Sequence, residues 1–303
     1  MANLKATTEM PAQNPSTPKG EYHDFAMSID VEDYFQVWAF SDVISRQSWE
    51  GYALRVEQTT RRAMDLFERT ETKATFFCLG WVAERFPALM RDIVGNGHEL
   101  ASHGYDHTKV FDQTRDEFRD DITKTRKILE GITGVEIRGF RAAGFSIDSR
   151  TPWAHDLLAE AGYAYSSSSH PIAHDHYGDP NAPTGPHFPS SDGVFELPVA
   201  TATFMNKRVT CAGGGWFRAT PYMASRRLLK KSREEINGPS IFYFHPWEID
   251  PDQPRINSAS RGRKFRHYLN LSGNERKLER LMREFSWNRI DQCYDRLIQT
   301  YEA

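Results

Sequence analysis

The stretch S-I-D-V-E-D-Y-F, residues 28–35, sets Asp30, Glu32 and Asp33 within four positions, directly behind the apolar-rich run Phe25-Ala26-Met27-Ser28-Ile29. The run reads as a buried strand, Phe25–Asp30, and the question is what three carboxylates do at its end. Working outward, strands and helices take turns. Helix-like Leu54–Arg69 carries Met64 and Phe67 on one face, and K-A-T-F-F-C-L, residues 73–79, is a short β-rich run. Arg85–Val94 reads as a helix stopped by Gly95 and Gly97, followed by a strand over His98–Ser102. Thr114 with Glu117 forms a capping-box pattern ahead of Phe118, Ile122, Thr125 and Leu129 at helical spacing. Glu136–Arg141 and Ser240–His245 are further strands, with helices at Pro152–Ala161 and Thr220–Glu235. Such alternation predicts a parallel α/β sheet, open or closed into a barrel.

Composition sets the bounds. The 303 residues are 39% hydrophobic and 26% charged, with a net charge of −3, so neither nucleic acid nor an anionic membrane is expected as a partner. No run of 18 or more apolar residues spans a bilayer. Residues 1–20 are polar and lack the apolar core of a secretory signal, which predicts a disordered leader. Cys78, Cys211 and Cys293 are far apart and odd in number, which suits a reducing compartment and a cytoplasmic address. Residues 167–193 read as a long loop over one end of the fold, and Asn274–Phe285 as an amphipathic helix burying Leu278, Leu281 and Phe285.

In parallel α/β folds, reactive groups gather where strands end. Four such ends stand out: Asp30/Glu32/Asp33, His103/His107 in E-L-A-S-H-G-Y-D-H, Arg141 in R-G-F-R-A-A-G-F, and His245 in F-Y-F-H-P-W-E. Two imidazoles at i and i+4 with one carboxylate form a facial triad that leaves coordination sites open, the layout of a catalytic metal. Each feature alone has a plainer account. An H-x-x-x-H pair arises often by chance, Asp30 could cap a helix, Arg141 could pair at the surface, and His245 could be a packed core residue. Their coincidence at four successive strand ends is what favours a site.

With those motifs in view, residues 24–250 resemble the polysaccharide deacetylase superfamily (NodB homology, carbohydrate esterase family 4). The order agrees: acidic strand end, A-T-F-F-C-L-G, H-x-x-x-H, an arginine motif, E-L-P-V, and a strand ending in histidine. D-V-E-D-Y-F, H-P-W-E and a C-terminal extension resemble the branch associated with exopolysaccharide assembly. The resemblance implies a distorted (β/α) barrel over residues 21–250 with an extension, 251–303, packed on it. It implies a hydrolase that removes N-acetyl groups from an N-acetylhexosamine in a glycan, using one divalent metal ion: Zn2+, or Co2+, Ni2+, Fe2+ or Mn2+. Asp30 matches the general base, Arg141 its orienting partner and His245 the general acid. His103 and His107 match the metal pair. Glu32 is the expected third ligand, since on a strand it shares a face with Asp30, and Asp33 is the alternative. The arginine motif departs from the usual Ala-Pro with Ala142-Ala143, which predicts a looser loop. Gly213-Gly214-Gly215-Trp216 reads as a substrate-side loop or a plain turn, and Trp216, Trp247 and Tyr105 are the substrate-binding candidates. Hydrolysis of another amide, such as a cyclic ureide, and a catalytically silent glycan-binding role are the alternatives.

Overall fold

The first strand, β1, runs Phe25–Val31 with all seven residues buried, as befits a strand covered on both faces in a parallel sheet. This computed structural model describes residues 25–173, 178–191 and 193–302; the expected leader lies outside them. Helix α1 is Val56–Arg69, burying Val56, Ala63, Met64, Leu66 and Phe67, and leads to β2, Thr75–Cys78. The helix expected over Arg85–Val94 is α3, Pro87–Gly95, and a separate short helix, α2 Gly80–Arg85, precedes it. Pro87 explains the break. The residue before a proline is sterically kept out of the helical region, and Phe86 sits at φ −126°, ψ 59°, while proline suits the first turn of the helix that follows.

After β3, Glu99–Ser102, comes α4, Arg115–Thr133, with the expected capping box. Glu117 N–H donates to Thr114 Oγ1 at 3.3 Å and Thr114 N–H to Glu117 Oε2 at 2.8 Å, an arrangement that stabilises a helix end by about 1 kcal/mol. The helix stops at Gly134, whose φ of 71° no β-carbon favours. The next strands are only two residues each: β4 Gly139–Phe140, then, after α5 Ala154–Glu160, β5 Tyr165–Ser166 and β6 Phe195–Glu196. A hairpin, β7 Thr201–Phe204 and β8 Lys207–Thr210, leads through α6 Gly214–Ala219 and α7 Tyr222–Ile236 to β9, Ser240–Phe244. The tail adds α8 Arg261–Tyr268, α9 Leu271–Glu284, β10 Trp287–Asn288, α10 Ile290–Cys293 and α11 Asp295–Glu302.

Strands β2 to β6 follow β1 in sequence order, all parallel, and β9 lies on the other side of β1. The gap between β6 and β9 is spanned by the parallel bridges Val199↔Ile241 and Gly213↔Tyr243, so the sheet curls into a distorted barrel. Residues after 250 do more than pack on it. Strand β10 pairs with the first residues of β1, Phe25↔Trp287 and Ala26↔Asn288. Ile290 N–H donates to Thr75 Oγ1 and Asp291 N–H to Glu99 Oε2, closing the end at which the strands begin. Because the strands are parallel and in register, Asp30, Ser102, Phe140, Ser166 and Phe244 all reach the opposite rim. The four sequence motifs meet at that rim.

Candidate active site

The four strand ends meet around one spot. Arg141, wholly buried, puts Nη1 2.7 Å from Asp30 Oδ1 and 2.9 Å from Ser28 Oγ. Its other nitrogens donate to Ser167 O and Ser167 Oγ, both at 3.0 Å. The guanidinium is therefore fixed on four acceptors, and it fixes Asp30 in turn. Asp30 Oδ2 is left facing His245 Nε2 at 4.0 Å, beyond hydrogen-bonding distance.

Glu32, His103 and His107 each offer a ligand atom, and the three atoms lie within 4.8 Å of one another. His103 Nδ1 lies 2.8 Å from the Arg141 carbonyl. A carbonyl only accepts, so Nδ1 carries the hydrogen and Nε2 keeps its lone pair for an ion. Burial holds this imidazole down at about 4, against the pull of Asp30 and Glu32, so it is neutral at pH 7. Glu32 Oε1 accepts from Trp247 Nε1 at 3.3 Å. Its Oε2 makes no well-directed hydrogen bond and stands 2.8 Å from His107 Nε2. A buried carboxylate oxygen left in this way beside two imidazoles is a donor set that fits a divalent cation. Burial raises the Glu32 carboxyl, but His107 and His245 outweigh it and bring it to about 2.

Asp33 points elsewhere. Its carboxylate accepts from Tyr34 N at 2.9 Å, Arg55 N at 2.7 Å and Val56 N at 3.0 Å, so it caps the start of α1. Burial nonetheless pushes it up to about 6. Of the two neighbouring acids, the structure brings only Glu32 to the imidazoles.

His245 Nδ1 is 2.7 Å from Glu248 Oε1, which aims Nε2 at Asp30 and at Glu32 Oε1, 3.5 Å away. Burial disfavours its charge, but Glu32, Glu248 and Asp30 win and raise it to about 9. Glu248 also pairs with buried Arg218, Nε to Oε2 at 2.7 Å.

The three substrate-binding candidates are placed differently. Trp247 is only 6% exposed, with its ring stacked between His245 and His267 at 5.2 and 4.2 Å, so it is a support and no sugar platform. Tyr105 turns outward into a groove of about 970 Å3 against α4. Its hydroxyl donates to Glu84 at 2.7 Å and Lys124 Nζ lies 3.2 Å from its ring centre. Trp216 is 48% exposed on α6, so the Gly-rich stretch is a helical turn and no loop. Gly213 is required there, because a β-carbon would lie 1.8 Å from Tyr243 O at a φ of 125°. The Ala142-Ala143 segment is also not loose. Ala142 N–H donates to Ser168 Oγ at 2.9 Å, and Phe145 packs edge-on to Tyr243 at 4.9 Å.

Sequence reasoning missed Glu196, Ser28, Ser167 and Arg218. Glu196 accepts from Ser168 N and Ser169 N, both at 2.8 Å, and holds the serine run that carries Arg141. Its position in E-L-P-V was the available signal; Ser167, in a Ser-rich stretch, and Ser28, a lone small polar residue in the β1 run, gave none.

A family model described as Polysaccharide deacetylase matches residues 50–166, and one described as a domain of unknown function, DUF3473, matches residues 167–295. The chain carries a polysaccharide deacetylase family domain. A crystal structure from Mycobacterium smegmatis assigned to the polysaccharide deacetylases shares the fold, with TM-score 0.58 and 20% identity over 97% of this chain and 94% of that one. A peptidoglycan-N-acetylglucosamine deacetylase of Bacillus cereus is 33% identical over 96 residues, 31% of this chain and 35% of that protein. A chitooligosaccharide deacetylase of Azorhizobium caulinodans is 31% identical over 84 residues, 27% and 40% respectively. The matched segments thus span well under half of these curated relatives. The boundary between the two family models falls just after β5, inside the barrel. His103, His107 and Arg141 lie in the first match, His245, Glu248 and Arg218 in the second, and Asp30, Glu32 and Asp33 precede both.

Proposed function

We propose that the chain is a metal-dependent de-N-acetylase that releases acetate from an N-acetylhexosamine in a glycan or its precursor. The observation that carries this reading is the convergence of Glu32, His103 and His107 on one spot flanked by the Asp30–Arg141 pair and His245. Glu32 Oε2, His103 Nε2 and His107 would hold the ion. Bound there, a divalent cation supplies Lewis-acid polarisation of the acetyl carbonyl and lowers the pKa of water toward ~7. Zinc suits two imidazoles and a carboxylate, as do cobalt, nickel, iron and manganese.

The side chains do the rest. Asp30 Oδ2 takes a proton from the attacking water, while Arg141 keeps Oδ1 engaged and the carboxylate aimed. His245 Nε2 gives a proton to the departing amine, which would otherwise be a very poor leaving group. Glu248 on Nδ1 sets the tautomer that this transfer needs. An ion on Glu32 cancels part of the charge that raises His245, bringing its titration closer to the working pH. Trp216, exposed on α6 three residues from the bridge of Gly213 to Tyr243, offers a face on which a sugar ring can stack. The D-V-E-D-Y-F and H-P-W-E motifs with the C-terminal extension favour an exopolysaccharide as the glycan. The test is acetate release from a panel of N-acetylhexosamine oligomers. Release should disappear on chelation and return with added divalent ion; no release from any member by metal-replete protein would refute the reading.

A further inference from the structure

The deacetylase reading leaves one group of buried contacts unused: those between residues 245–248 and the tail. Arg218 Nε holds Glu248 Oε2, and its Nη1 donates to the carbonyls of His267 and Leu269, both at 2.7 Å, where α8 passes into α9. Asn270 Nδ2 returns a bond to Arg218 O at 2.9 Å. The Glu248 carbonyl accepts from Asn274 Nδ2 of α9 at 3.1 Å. Trp247 O accepts from Gln253 Nε2 at 2.8 Å, and Gln253 Oε1 lies 2.7 Å from His267 Nε2. The His267 ring, in turn, lies flat on Trp247 with 14° between planes.

Resting on that reading, we infer that the segment after residue 250 belongs to the catalytic unit, where it positions the general-acid histidine through Arg218, Asn274 and His267. The turn that carries His245, Pro246–Ile249, is a single 3-10 turn beyond the end of β9. It has no ladder of its own to hold it. Its ring and its carbonyls are held by the tail, and its carboxylate by Arg218, which the tail holds in turn. Glu248 fixes His245 only as well as Arg218 fixes Glu248, and Arg218 is fixed by α8 and α9 backbone. Arg218, His245, Glu248 and both helices also lie within one family match, residues 167–295.

The experiment compares two substrates that differ in their need for an acid. An amine must be protonated to leave, whereas 4-nitrophenolate leaves 4-nitrophenyl acetate without a proton. Full-length, metal-replete Arg218→Lys should lose about 10²-fold in kcat for an N-acetylglucosamine oligomer, the scale of a 1 Å misplacement, with KM nearly unchanged. Its hydrolysis of 4-nitrophenyl acetate and its metal content should stay near wild type. Asn274→Leu is the second variant, for the case that Arg218→Lys does not fold. It removes one bond to the Glu248 carbonyl and also a buried oxygen that has no partner, Asn274 Oδ1, so folding is spared. It should lower the amide-to-ester ratio in the same direction by several-fold. Equal losses on both substrates, or none on either, in a folded variant would overturn the inference while leaving the deacetylase reading in place. A wild-type protein that cleaves no amide would overturn both.

Discussion

Replacing Asp33 and replacing Glu32 should have different consequences for the metal, though the two are adjacent and equally buried. Asp33→Ala removes the acceptor of three backbone N–H groups, those of Tyr34, Arg55 and Val56. Each orphaned buried donor costs about 1–3 kcal/mol. Against that, the variant is relieved of a carboxylate whose burial pushes it up to about 6, so the net loss at neutral pH is about 2 kcal/mol. For a domain of this size that lowers Tm by roughly 4–8 °C. Metal content should not change. Glu32→Gln keeps an oxygen for Trp247 Nε1 but gives up the attraction of His107 and His245 for its charge, so the metal-free protein should also melt lower, and metal content is what separates the two variants. Its metal affinity should fall by well over the 10–100-fold that outer partners of a site are worth. Metal analysis after gel filtration and thermal unfolding of both variants decide the matter. An Asp33→Ala protein that melts normally without metal, beside a Glu32→Gln protein that retains it, would refute the assignment.

His103→Ala and His107→Ala should each empty the site while the chelated proteins unfold like wild type, since rim ligands support little of the core; full metal content in the double variant would refute the ligand pair. His245→Ala should bind metal and glycan normally and lose 10²–10⁴-fold in acetate release, and a drop in melting temperature without a drop in rate would make the histidine structural. Metal-free protein should lose stability between pH 6.5 and 8. There the folded chain keeps protons on His245, raised to about 9, and on Glu99, which burial and Asp291 raise to about 8, while the unfolded chain has released them. Each contributes about 1.4 kcal/mol per pH unit at most, present below the unfolded value and lost as pH rises through the folded one. Thermal unfolding across that window should show a slope that His245→Ala roughly halves; an unchanged slope would count against the charge placed on His245.

The rim was legible because each motif sat at the end of a run that β propensity alone could recognise, and parallel order then put the ends together. Asp30, His103, Arg141 and His245 needed nothing beyond that. The period-of-two argument favoured Glu32 over Asp33, but β1 ends at Val31 and Glu32 N–H turns back to Asp30 O at 3.1 Å, so the strand period does not decide between them; the start of α1, which takes the Asp33 carboxylate, does. What was hidden depended on pairing far along the chain. Strands of two residues, such as β4 to β6, show no periodicity, and β10 reaches β1 from 262 residues away (Trp287 to Phe25). Trp247 reads from sequence as a pocket-lining residue or an anchor for the strand, because an aromatic beside a catalytic motif looks the same whether it faces solvent or a neighbour. Only His267, brought up by the tail, makes it a buried support. The same holds for Arg218, which sits in a stretch whose glycines suggest a loop and is drawn inward by Glu248.

The most direct test of the account measures acetate released from an N-acetylglucosamine oligomer by wild type, Asp30→Asn and His245→Ala at equal metal occupancy. Arg141 retains its bonds to Ser28 Oγ, Ser167 O and Ser167 Oγ in Asp30→Asn, so that variant should fold. The account predicts acetate and free amine in equal amounts from wild type, and a fall of roughly 10²–10⁴-fold in each variant with the metal still bound. Wild-type rates in either folded variant, or a fully loaded wild-type protein that releases no acetate, would contradict it.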